Sequence, residues 1–131
     1  MSKGWIGIDL DGTLAVYDGW NSGKIGRPVP DMMRKVKGML ATGERVKIMT
    51  ARVSTSQEKG IDSGEHASEE FVAEQHKMIN DWCIEHVGKS LEVTSVKDFN
   101  MIKLYDDRCI TVLENTGRCA RWNSNGRIVI Y

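Results

Sequence analysis

Two carboxylates two positions apart, Asp9 and Asp11, follow the short apolar run Trp5-Ile6-Gly7-Ile8 and lead straight into Gly12-Thr13. A strand that ends this way brings both acids to its carboxyl edge, where open α/β sheets bind their ligands. Gly12 lets the backbone turn tightly beside an anion. Such a pair suits phosphate or metal chemistry, whereas an Asx-turn that merely closed the strand would need only one acid. Two further apolar runs end in reactive groups: Val46-Lys47-Ile48-Met49 in Thr50-Ala51-Arg52, and Met101-Ile102-Lys103-Leu104-Tyr105 in Asp106-Asp107. Lys97 stands shortly before the third run.

The elements that must position these groups follow from periodicity. Residues 15–29 are rich in glycine and polar side chains yet contain Tyr17 and Trp20, and they read as a flap beside the site. From Asp31, the residues Met32, Met33, Val36, Met39 and Leu40 recur at helical spacing, with Pro30 at the start and Gly43 at the stop. A strand, a helix and a strand in succession imply parallel pairing. Residues 53–67 are polar and aperiodic and predict a mobile loop next to Arg52. Ser68 then offers an N-cap, Glu69 and Glu70 suit the positive end of a helix, and Phe71, Val72, Met78, Ile79, Trp82, Cys83 and Val87 form its apolar stripe up to Gly88. Leu91-Glu92-Val93 predicts a short strand. Residues 108–116 have helical spacing at Ile110 and Leu113, and residues 119–122 and 127–131 flank the turn Asn123-Ser124-Asn125-Gly126, which predicts one or two late strands.

Composition narrows the class. At 131 residues and 40% hydrophobic content the chain suffices for one core, so a single domain over residues 1–131 is expected. The formal net charge is zero, which leaves no global positive field to gather nucleic acid or an anionic membrane. Cys83, Cys109 and Cys119 form no Cys-x-x-Cys pair, and their odd number fits reduced thiols better than a disulfide framework. The first strand begins too close to Met1 for a signal peptide, and no apolar stretch approaches a bilayer span, so a cytoplasmic protein without membrane attachment is expected. His66, His76 and His86 repeat every ten residues, an interval that does not align side chains on one helix face.

The set Asp9-x-Asp11-Gly12-Thr13, Thr50, Lys97 and Asp106-Asp107, in that order, resembles the four motifs of the haloacid dehalogenase superfamily of phosphohydrolases. The resemblance spans residues 9–107, and it implies a three-layer α/β sandwich around a mostly parallel, Rossmann-like sheet. It also implies a helical turn and a β-hairpin flap after the first strand. Larger members insert a cap domain between motifs; this chain has no space for one, so a capless fold with an open cleft is expected, able to admit bulky phosphorylated substrates.

A phosphomonoester dianion repels nucleophiles, so its oxygens must be neutralised, a nucleophile aligned and the leaving oxygen protonated. In this reading Asp9 is the nucleophile that forms an aspartyl-phosphate, and Asp11 is the general acid and then the base that activates water. Thr50 and the amide of Ala51 donate to phosphoryl oxygens. Gly12 borders the phosphate, Lys97 neutralises Asp9 and the phosphoryl group in preference to Lys103, and Arg52 either holds substrate or forms a surface ion pair. Asp9, Asp11 through its main-chain carbonyl, Asp106 and Asp107 form an all-oxygen metal set, the kind Mg²⁺ prefers.

Leu104-Tyr105-Asp106-Asp107-Arg108 and Thr50-Ala51-Arg52 also resemble the phosphatase domain of bacteriophage-type polynucleotide kinase–phosphatases, which makes nucleotides or nucleic-acid ends the expected substrates. Phosphoryl transfer to an acceptor other than water, or a non-catalytic phosphate-binding module, would draw on the same residues. A signalling receiver domain uses similar groups in the opposite order, with its acidic pair early.

Overall fold

The structure is a computed structural model, and it describes residues 4–55 and 68–131. The chain is a mixed α/β protein. Strands β1 (Trp5–Ile8), β2 (Val46–Met49), β3 (Glu92–Thr94) and β4 (Met101–Tyr105) form a sheet in the order β3-β2-β1-β4, with every pair parallel. Helix α1 (Pro30–Ala41) links β1 to β2, and α2 (Glu69–His86) lies between β2 and β3. Pro30 supplies the first helical residue of α1, where a missing N–H costs nothing. The Ser68 hydroxyl caps α2 by accepting from the Phe71 amide at 3.1 Å, and Glu69 and Glu70 sit in its first turn.

Both crossovers step in the same direction, and right-handed connections therefore bring both helices to one face of the sheet. The core agrees. Ile6 and Ile8 of β1 and Val46 and Ile48 of β2 cluster with Met32, Met33 and Val36 of α1 and with Ile79, Trp82 and Cys83 of α2. On the opposite face Trp5 lies fully buried across Gly7. That face is crossed by the connection from β3 to β4, where Asp98 accepts from Trp5 Nε1 at 2.8 Å and pairs with Lys47 at 3.8 Å. Among the described residues, then, an irregular segment stands where a third helical layer was expected.

Strands β5 (Thr111–Val112), β6 (Cys119–Trp122) and β7 (Ile128–Ile130) form a separate antiparallel sheet. The helix expected over residues 108–116 is therefore absent. The Asp106 carboxylate accepts from the Arg108 amide, an Asx-turn that competes with helical bonding, and Leu113 pairs back with Arg118 across a turn holding Asn115 at positive φ. The β-branched Ile110, Thr111 and Val112 favour the extended form. This small sheet leaves Trp122, Ile128 and Tyr131 more than half exposed. Of the loop expected over 53–67, Val53 closes a short 3₁₀ turn (Ala51–Val53) and is buried, and residues 56–67 lie outside the described residues. Among the described residues no helix is long and apolar enough to cross a membrane.

Candidate active site

The carboxyl edges of β1, β2 and β4 meet at a cleft of about 630 Å³, lined among others by Asp9, Asp11, Thr50, Ala51, Arg52, Asp106 and Asp107. Pairing of β1 with β4 continues past the strand end, because the Asp9 amide donates to the Tyr105 carbonyl at 2.9 Å. That bond fixes Asp9 beside the Asp106-Asp107 pair, nearly a hundred residues later in the chain. Carboxylate oxygens of Asp9, Asp106 and Asp107 all lie within 4.8 Å of one another.

Thr13 ties this cluster together. Its hydroxyl lies 3.3 Å from Asp9 Oδ2 and 3.1 Å from Asp107 Oδ1, and its oxygen accepts from the Asp107 amide at 3.1 Å. Gly12 makes the approach possible. Its φ of +88° suits glycine, and a Cβ there would sit 2.7 Å from Asp107 Oδ2. The Gly12 amide donates to the Ala15 carbonyl at 2.8 Å.

The electrostatics follow from crowding. Burial first, then a hydrogen bond with Asp107 and the charges of Asp106 and Asp107, push the Asp9 carboxyl up to about 7. Burial would also raise Asp107, but hydrogen bonds from Asp9 and Thr13, its own main-chain amide and the nearby Arg108 leave it below the usual carboxylate range. The proton of the pair thus resides on Asp9. Three converging acids of this kind fit a hard divalent cation, which would replace that proton with a larger positive charge and oxygen coordination.

The flap segment has the expected helical turn, but in place of a β-hairpin it has a single antiparallel bridge, Ala15 with Pro28, and a 3₁₀ turn at Asn21–Gly23. Leu14 and Ala15 close a helical turn by donating to the Leu10 carbonyl, and two cross-bonds, Val16 N–H to Arg27 O at 2.8 Å and Val29 N–H to Leu14 O at 2.7 Å, clamp its arms antiparallel. Trp82 of α2 donates from Nε1 to the Gly26 carbonyl at 2.9 Å. A side chain at Gly26 would run into the Val16 carbonyl. The flap residues Tyr17 and Trp20, with Phe71 of α2, add an aromatic wall to the cleft.

Thr50 is buried, and its hydroxyl oxygen accepts from the Arg52 amide at 3.2 Å. Arg52 borders the cleft but is not a surface ion pair. It is buried, and it donates from Nε to Asp11 Oδ2 at 2.7 Å and from Nη2 to Asp11 Oδ1 at 2.8 Å. Its Nη1 donates to the Gly23 carbonyl at 2.6 Å and to Gln75 Oε1 at 2.8 Å. Gln75 is the site residue that periodicity missed, although it falls between Phe71 and Ile79 on the inward stripe of α2. A polar residue on an apolar stripe is itself a signal.

Lys97 lies in the connection that crosses the sheet and is exposed; Ser95, two residues earlier, lines the cleft. Its charge opposes the rise that burial, then Asp106, Asp9 and Asp107, impose on the Cys109 thiol, so lysine and acids act on a common neighbourhood. Lys103, the rival, sits within β4 opposite Ile6, away from the carboxyl edge.

No protein-family model matches the chain, and no curated protein does. A solved structure, that of a conserved protein coded by a locus of Bacteroides thetaiotaomicron, is similar in fold: the TM-score is 0.52 at 17% identity, over 81% of this chain and 77% of the other.

Proposed function

We propose that this protein is a capless, haloacid-dehalogenase-like phosphohydrolase built on a parallel, Rossmann-like sheet, a Mg²⁺-dependent phosphomonoesterase acting on nucleotides or nucleic-acid ends. The observation that carries the reading is the convergence of Asp9, Asp106 and Asp107, laced by Thr13, at the carboxyl edge of parallel strands. In it, Asp9, Asp106 and Asp107, with the main chain at Asp11, hold the cation. When bound, Mg²⁺ supplies Lewis-acid charge stabilisation to the phosphoryl oxygens.

An Asp9 oxygen attacks phosphorus, the bond from phosphorus to the leaving oxygen breaks, and that oxygen takes the Asp11 proton as the alcohol departs. Water then attacks phosphorus and gives a proton to the Asp11 carboxylate; the phosphorus–Asp9 bond breaks, restoring both acids and releasing phosphate. Thr50 and the Ala51 amide face the phosphoryl group, and Lys97 is the lysine whose charge balances it. The aromatic wall of Tyr17, Trp20 and Phe71 suits a planar base on the leaving group, since bases stack on aromatic faces.

The test is phosphate release, with and without Mg²⁺, from an aryl phosphate, nucleoside monophosphates and a 3′-phosphorylated oligonucleotide. Metal-dependent release from the nucleotide substrates, abolished in Asp9→Asn, is expected. Normal turnover by that variant would remove Asp9 as nucleophile, and no release from any substrate would remove the phosphatase reading.

A further inference from the structure

We infer that Arg52 and Gln75 are positioning residues for Asp11, forming a buried chain that runs from α2 and holds the Asp11 carboxyl group in place at the cleft. The inference rests on the proposed role of Asp11 as general acid. Arg52 holds Asp11 with two parallel N–H groups, at 2.7 and 2.8 Å, while its Nη1 anchors it to Gly23 and Gln75. Its guanidinium also lies 4.7 Å from the centre of the Trp20 ring.

A fold has little reason to build this arrangement for stability alone. Desolvating an arginine and a carboxylate costs about as much as their attraction returns, and an apolar pair of similar volume would often serve better. Arg52 is 5% exposed and Gln75 3%, so both are committed to the protein interior. Asp11 and Arg52 both border the cleft, and the Asp11 side chain is the more exposed of the two, at 20% against 3%.

The chemistry explains the geometry. A fork of two N–H groups matches a carboxylate, with both oxygens accepting, and a protonated carboxyl keeps only one strong bond of the two. Both bonds are made in this structure, so Arg52 fixes the plane and position of the carboxyl group that faces the leaving oxygen. Gln75 adds no charge that would compete with Asp11 for the arginine, and its oxygen fixes the plane of the guanidinium. Arg52 acts through Asp11, and Gln75 acts through Arg52.

Leaving-group dependence separates this role from a structural one. The full chain with Mg²⁺ is given two monoesters: a nitrophenyl phosphate, whose phenolate departs without a proton, and an alkyl phosphate, whose alkoxide does not. The quantity read is kcat/KM, which covers the steps up to departure of the alcohol. Arg52→Lys keeps the charge and loses the fork, and is expected to lower the alkyl value about 100-fold and the aryl value about threefold. Gln75→Leu, which leaves Arg52 in place, is expected to lower the alkyl value about tenfold and the aryl value less than threefold.

Equal losses on both esters by either folded variant would overturn the inference while leaving the phosphatase reading intact. Should Arg52→Lys not fold, Gln75→Leu alone decides. Absence of phosphate release by the wild-type protein from both esters would overturn the phosphatase reading, and this inference with it.

Discussion

Replacing Asp9 with asparagine should stabilise the metal-free protein at neutral pH, because asparagine supplies permanently what Asp9 obtains by holding a proton. The Asp9 carboxyl is raised from 3.8 to about 7, first by burial and then by Asp107 and Asp106. Between those limits the unfolded chain has released the proton and the folded chain keeps it. Unfolding therefore becomes easier as pH rises from about 4, and the loss is complete above about 7. A shift of this size corresponds to at most about 4 kcal/mol. Water reaches part of Asp9, and allowing for that screening leaves about 2 kcal/mol.

Urea unfolding of wild type and Asp9→Asn in chelator, at half-unit steps from pH 5 to pH 8, isolates the effect, since the histidines and surface carboxylates contribute equally to both. The difference in unfolding free energy should grow with pH to about 2 kcal/mol in favour of the variant, or roughly 8 °C in Tm for a chain of this size. Glu92 and Asp98, whose acidities shift in the opposite direction, act near and below pH 4, outside the window. Adding Mg²⁺ at pH 7.5 should reverse the order, stabilising the wild type by about 2.7 kcal/mol at a hundred times its Kd and the variant far less. A difference that does not change from pH 5 to pH 8 would refute the account of Asp9, and equal stabilisation of both proteins by Mg²⁺ would refute its place among the ligands.

Two other substitutions probe the scaffold around the cluster. Gly12→Ala should cost about 1–2 kcal/mol through its positive φ and weaken Mg²⁺ binding at least about tenfold by displacing Asp107; urea unfolding and calorimetric titration measure the two effects. Trp82→Phe keeps the ring packing and removes the bond to Gly26, so a loss of about 1 kcal/mol in stability, with faster exchange of the Val16 amide, is expected from unfolding and hydrogen-exchange measurements.

Local signals in the sequence sufficed where local physics decides. The apolar runs at 5–8, 46–49 and 101–105 are strands, the proline and serine starts of both helices hold, and Asn123 to Gly126 does turn a hairpin. Residues 108–116 defeated periodicity because Ile110 and Leu113 fit a helix as well as they fit a strand followed by a turn, and the Asp106 Asx-turn decided the matter. The third layer was expected from resemblance, and nothing in residues 95–100 announced that Asp98 would instead reach across the sheet to Trp5 and Lys47. At the site, residue types were readable but partnerships were not. Arg52 meets Asp11 across 41 positions of sequence, and Gln75 meets Arg52 across 23, separations at which only the folded chain brings donor to acceptor.

The pairing of β1 with β4 contains an irregularity: Trp5 stands opposite Met101 and the next residue, Ile6, opposite Lys103, so Ile102 is an extra residue. Everything beyond it, through Ile8 opposite Tyr105 to the acids, keeps one frame. The extra residue thus insulates the acids from the length of the connection that precedes them. A gain or loss of one residue before position 103 can be absorbed there, and the connection over the sheet is free to drift by insertion and deletion. After position 103, a loss of one residue would bring Asp107 into the place of Asp106, and a gain would bring Tyr105 there. In this chain, tolerance of length variation and intolerance of it meet at a single peptide unit.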